Sequence, residues 1–134
     1  MFTFEKNEES GVPLWAQLRN RLVYLINSGY YAPGDKLPTI HECATEFGIN
    51  YNTINKVYTS LAHDGYITTK RGVGAMVNSF DNEERDEQDA AVEQALDECI
   101  AALVDMGLGY EDIETVMRAR LRKLEQQMSQ GMDR

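Results

Sequence analysis

The sequence is short of most of what other chemistries need. It has two cysteines, two histidines, three prolines and one tryptophan in 134 residues. Cys43 and Cys99 stand alone, so neither a CxxC pair nor a disulfide framework is written here; each is expected to fill a small apolar position. His41 and His63 have no cysteine or carboxylate cluster at ligand spacing, so no metal site is expected. No Ser/His/acid set with a nucleophile turn is present, and neither GxxxxGK[ST] nor a GxGxxG after a strand appears. An enzyme therefore has no catalytic constellation, and we expect no catalytic residue and no cofactor. No apolar run approaches the roughly 20 residues of a bilayer span. The first ten residues, polar and acidic, are not a secretory signal. The expected setting is the cytoplasm, with no membrane partner.

What is present is 43% hydrophobic and 26% charged, the profile of a folded chain. Its net charge of −9 is unevenly placed. Ser10 to Ser79 holds six Lys/Arg and four acids, a balance of +2. Residues 80–134 hold six bases and 15 acids, or −9, and the first nine residues carry −2. A mildly basic middle and an acidic tail suggest divided labour.

Turn signals and apolar spacing divide the chain. After Pro13, Leu14, Trp15, Leu18, Leu22, Leu25 and Ile26 form one helical face that Gly29 ends. Pro33-Gly34 breaks the chain. Thr39 and Glu42 then make a capping box for a short helix over about Ile40 to Phe47, closed by Gly48. Asn50 is the expected N-cap of the next helix, whose core face is Ile54, Val57, Tyr58 and Leu61. Two helices joined this tightly are a helix-turn-helix. Tyr66 to Thr69 and Ala75 to Val77 read as a hairpin with a basic tip at Lys70-Arg71-Gly72-Val73-Gly74.

Beyond Val77 the composition shifts. Asp81 to Asp89 is acidic and reads as a linker merging into a helix N-terminus. Val92, Leu96, Cys99, Ile100, Leu103 and Val104 make one helical stripe; Ile113, Val116, Met117, Leu121, Leu124 and Met128 make a second. The expected fold is α+β, mainly α: a winged helix-turn-helix over residues 1–78, then a linker and a two-helix dimerisation tail over 79–134. The stripes, through Val92, Leu96, Ile100, Leu103, Ile113, Met117, Leu121 and Leu124, expose more apolar surface than one hairpin covers. A second copy of the tail is the expected partner.

Helix, turn, helix and wing is a DNA-binding order, with the second helix slim enough for the major groove. Its front carries Asn50, Tyr51, Asn52, Thr53, Asn55 and Lys56. Asparagine can pair bidentately with adenine, and lysine can reach guanine or phosphate. Tyr51 can offer a hydroxyl to phosphate or stack on sugar. On the wing, Lys70 and Arg71 beside Gly72 and Gly74 can approach phosphates or enter a minor groove. The Thr39 hydroxyl, the amides of that helix start and His41 can take a further phosphate.

These residues resemble the GntR family of bacterial transcriptional regulators. Pro13 to Leu18 is similar to its opening helix, and Gly29 to Thr39 to its G-x-x-x-P-G-[DE]-[KR]-L-P-[ST] turn. Gly48 to Tyr58 resembles the recognition helix of the YtrA branch, and Gly65-Tyr66-Ile67 with Arg71 to Gly74 resembles the wing. The resemblance implies a sequence-specific regulator that binds a palindromic operator in double-stranded DNA as a homodimer, most often as a repressor. It also implies a short helical pair in place of a large effector domain. Many relatives carry arginine where His41 and Tyr51 stand, and Tyr51 replaces a proline common in the YtrA branch. The operator sequence is thereby left open. No effector is identified by the sequence; a small molecule would use a cleft between head and tail or between subunits. The alternative is a winged-helix module that binds protein and has lost DNA binding, favoured by the acidic total charge and those two absent arginines.

Overall fold

The computed structural model describes residues 1–79 and 83–132. The chain divides into two compact units, Met1–Gln88 and Asp89–Arg134. Its elements run α1 (Leu14–Asn27), α2 (Ile40–Phe47), α3 (Tyr51–His63), β1 (Ile67–Lys70), β2 (Gly74–Val77), α4 (Glu83–Asp105) and α5 (Tyr110–Met132).

In the first unit, α1 and α2 both pack on α3, and α3 packs on β1. The apolar spacing explains why. Leu18 and Leu22 of α1, Ile54, Val57 and Leu61 of α3, Cys43 of α2 and Ile67 of β1 are sealed into one core. Burying each large aliphatic side chain contributes about 1.5–3 kcal/mol. β1 and β2 pair antiparallel, Ile67 opposite Val77 and Lys70 opposite Gly74.

The turn between α2 and α3 is short because Gly48 adopts φ 63°, ψ 32°, a left-handed conformation that caps α2. Thr39 caps the other end, its hydroxyl oxygen accepting from the Glu42 N–H at 3.0 Å. Asn50 caps α3, its Oδ1 accepting from the Asn52 N–H at 2.8 Å. Both caps fall where the sequence places them.

Three features depart from the sequence reading. The N-terminal residues, polar and acidic in sequence, supply two aromatic side chains to the packing. Phe2 is only 3% exposed, its ring 5.0 Å from that of Phe47, and Phe4 packs on Phe47 as well. Arg21 fastens this strap through Nε to the Thr3 carbonyl at 2.7 Å and through its guanidinium to the Thr3 hydroxyl at 3.0 Å. The acidic stretch is already helical from Glu83, and Gln88 Oε1 accepts from Asn27 Nδ2 at 2.7 Å. Cys43 is buried as expected, whereas Cys99 is exposed.

In the second unit, α4 and α5 are joined by a tight turn, with the Leu108 N–H donating to the Leu103 carbonyl and the Gly107 N–H to that of Val104. Asp112 reaches back to the Gly109 N–H at 2.9 Å, fixing the start of α5. Ile113 is buried, and Ile100, Leu103 and Met117 are half-buried. Val92, Leu96, Val104, Val116, Leu121 and Leu124 stay exposed, Leu121 at 64%.

Candidate nucleic-acid interface

The site begins with helical arithmetic. At about 100° per residue, a helix that buries Ile54, Val57, Tyr58 and Leu61 must turn Asn52, Asn55, Lys56 and Thr59 outward. The first four are buried, and the second four are exposed, with Thr53 half-buried at the edge. Tyr51, the first residue of α3, is 43% exposed.

The front of α3 is joined to α2 by a ring contact. His41 and Tyr51 lie with centroids 4.7 Å apart at 44°. Thr39, His41 and Tyr51 therefore form one exposed group at the start of both helices, with Asn52 and Asn55 beside it on α3. Asn50 is part of the same corner, but its oxygen is spent on the cap.

Behind this surface sits a buried polar anchor. The Tyr58 hydroxyl donates to the Pro38 carbonyl at 2.5 Å and lies 3.4 Å from the Cys43 sulfur. It ties α3 to the turn that launches α2, fixing the two helices against each other. Burial pushes the Cys43 thiol up. Burial, with the Cys43 contact second, pushes the Tyr58 phenol well above its usual range. Both groups stay neutral, which suits a packed anchor.

Lys56 is exposed, but its ammonium stands over the Trp15 ring, 4.2 Å from the centroid. This cation–π contact joins α3 to the start of α1. Arg19 joins the same helices further along: its Nε donates to the Ser60 hydroxyl at 2.9 Å, it pairs with Asp64, and it lies over the Tyr66 ring. Neither contact is visible in a one-dimensional pattern.

The wing forms a second group. Lys70, Arg71 and Gly72 are exposed at its tip and Gly74 is half-buried at the start of β2. Gly72 and Gly74 have φ of 81° and 105°, so a side chain at either position would strain the tip. The sequence reading passed over Lys36 as a site residue. It bridges to Met76 along β2, flanked by the Leu37 N–H donating to the Ala75 carbonyl and the Gly34 N–H to that of Val77. Its side chain runs close to Gly74, 3.8 Å from where a β-carbon there would stand. Lys36, Lys70 and Arg71 thus gather on the wing. The only sequence signal for Lys36 was its place in the Pro-Gly-Asp-Lys-Leu-Pro turn. At the wing's base, Asn78 Nδ2 donates to the Gly65 carbonyl and its Oδ1 accepts from the Thr68 hydroxyl.

A capped helix pair with a polar, outward-facing second helix and a basic glycine tip defines a winged helix-turn-helix DNA-binding domain. Residues 14–77 match the family described as "Bacterial regulatory proteins, gntR family". Residues 14–77 are a GntR-family DNA-binding domain, and the relatives the chain matches are HTH-type transcriptional regulators. It is similar to the Bacillus subtilis HTH-type transcriptional regulator YhcF, 26% identical over 105 residues, 78% of this chain and 87% of that one. The Bacillus subtilis transcriptional repressor YtrA is 38% identical over 69 residues, 52% of this chain and 53% of that one. Among solved structures, YtrA from Sulfolobus acidocaldarius, a GntR-family transcription factor, superposes with a TM-score of 0.54 at 25% identity, covering 91% of this chain and 99% of that one. The chain is therefore YtrA-like along most of its length.

Proposed function

We propose that this protein is a repressor that binds a palindromic operator as a homodimer in the cytoplasm. Residues 1–78 hold the DNA reader, and residues 79–134 the linker and dimerisation hairpin. The observation that carries the reading is the surface of α3: Asn52 and Asn55 project to solvent from a helix whose other face is sealed in the core. Folding does not require those amides there, whereas base edges in a major groove do.

Asn52, Thr53 and Asn55 face the bases. Lys56, held over Trp15, lends charge to the same face. Thr39, His41, Asn50 and Tyr51 meet the backbone beside it, and Lys70, Arg71, Gly72 and Gly74 bring the wing to a neighbouring groove. Val92, Leu96, Leu121 and Leu124 stay exposed on the hairpin. A second hairpin would cover them with the half-buried Ile100, Leu103 and Met117, whereas Ile113 is already packed inside the single hairpin; twofold symmetry would match two half-sites a whole number of turns apart. Repression is the role named for the Bacillus subtilis YtrA relative.

A gel shift with the DNA upstream of the protein's own gene tests this. We expect a specific complex whose affinity falls with salt. In Arg71→Ala the salt dependence becomes shallower by about one ion per lost phosphate contact. Equal affinity for operator and random duplex would overturn the reading.

A further inference from the structure

The reading face of α3 carries no arginine. Between Tyr51 and His63 the one Lys/Arg side chain is Lys56, and its ammonium is engaged by Trp15. Two arginines elsewhere in the winged helix are also committed, Arg19 to Ser60 and Asp64 and Arg21 to Thr3. Asn50 has given its oxygen to the cap. The groups of α3 left to meet base edges are the amides of Asn52 and Asn55 and the hydroxyls and methyls of Thr53 and Thr59.

Resting on the DNA-binding reading above, we infer that α3 reads A·T pairs in the major groove and makes no fork-type contact to guanine there. Guanine offers two acceptors, N7 and O6, and is selected by arginine or lysine; α3 has no arginine, and its one lysine, Lys56, is drawn over the Trp15 ring. An asparagine amide has one donor and one acceptor side, which matches adenine N6 and N7. Threonine methyls pack on the thymine C5 methyl, a feature guanine and cytosine lack.

The wing points the same way independently. Arg71 is its one arginine, exposed at the tip next to Gly72, and no ion pair engages it among the described residues. A single arginine on a narrow tip suits a narrow minor groove, and A·T tracts provide one. Both grooves therefore select the same base composition, and the partner is a duplex whose half-sites are A·T-rich.

The test is selection of binding duplexes from a randomised library by the full chain, followed by sequencing. We expect adenine and thymine to dominate the positions facing α3 and the flanking positions under the wing. Asn52→Ala and Asn55→Ala should each relax adenine preference at one position by about tenfold. Deoxyuridine in place of thymine in the selected duplex should weaken binding by about threefold or more. A motif built on fixed G·C pairs facing α3 overturns the inference while leaving DNA binding intact. A motif unchanged in both asparagine variants, or indifference to the thymine methyl, also overturns it. Failure to bind any duplex overturns the DNA reading itself.

Discussion

His41 and Tyr51, ten positions apart in sequence, meet ring to ring at 4.7 Å and so join the first turn of α2 to the first turn of α3. An aromatic contact of this kind is worth about 0.5–1.5 kcal/mol. It orients the Tyr51 hydroxyl instead of leaving it to swing from an exposed helix start.

His41→Ala should therefore weaken operator binding by roughly fivefold and lower the melting temperature by no more than a few degrees, since the pair lies at the surface. Fluorescence anisotropy against calorimetry separates the two effects. A large loss of stability with unchanged DNA affinity would show the pair to be structural only.

The Tyr58 anchor makes a different forecast. Tyr58→Phe removes the hydroxyl donor to the Pro38 carbonyl and should cost about 1–2 kcal/mol in urea unfolding. In the folded protein the Tyr58 phenol and Cys43 thiol both hold their protons more tightly than in the unfolded chain. Their contribution is complete at neutral pH. It falls as pH rises past about 9, where the unfolded groups begin to ionise and the folded ones do not. Stability should decline on the alkaline side, less steeply in Tyr58→Phe. A flat profile from pH 8 to 10.5 would contradict this.

Gly48→Ala isolates the cost of a backbone conformation. A β-carbon there meets nothing within 4 Å, so the penalty arises from the left-handed φ alone, about 1 kcal/mol. The melting temperature should fall by several degrees, with DNA specificity retained in the folded fraction. An unchanged melting temperature would show that the turn relaxes at no cost.

Leu121→Asp places a charge in the exposed stripe of α5, where Leu121 is 64% exposed in a single chain. The hairpin's own folding should be nearly indifferent. Sedimentation should show a dimer for the wild type and a monomer for the variant at micromolar concentration, with weaker operator binding. A dimeric variant would place the interface elsewhere.

The DNA-reading half of the fold was legible because its signals are local. Thr39, Gly48 and Asn50 punctuate the chain by their own hydrogen-bonding and backbone preferences, so the helix ends follow from a few neighbouring residues. The inward face of α3 follows from the spacing of Ile54, Val57, Tyr58 and Leu61. The contacts that were not legible join distant parts of the chain. Lys56 reads as a free cation until Trp15 is brought beneath it. Lys36 joins the wing only through a bridge to Met76. Phe2 was hidden because two phenylalanines in an otherwise acidic stretch make no period.

That buried Phe2 sets an order of events in folding. The strap is synthesised before its socket, Phe47, which is not in place until α2 is complete. Arg19 likewise waits for Asp64, 45 positions further on. The local turns of α2 and α3 can form while these closures are pending, but the distant ones bear the loop-closure entropy. Phe2 and Phe4 are thus synthesised well before the residues that shelter them. A chaperone that recognises short aromatic segments would find its opening in this strap.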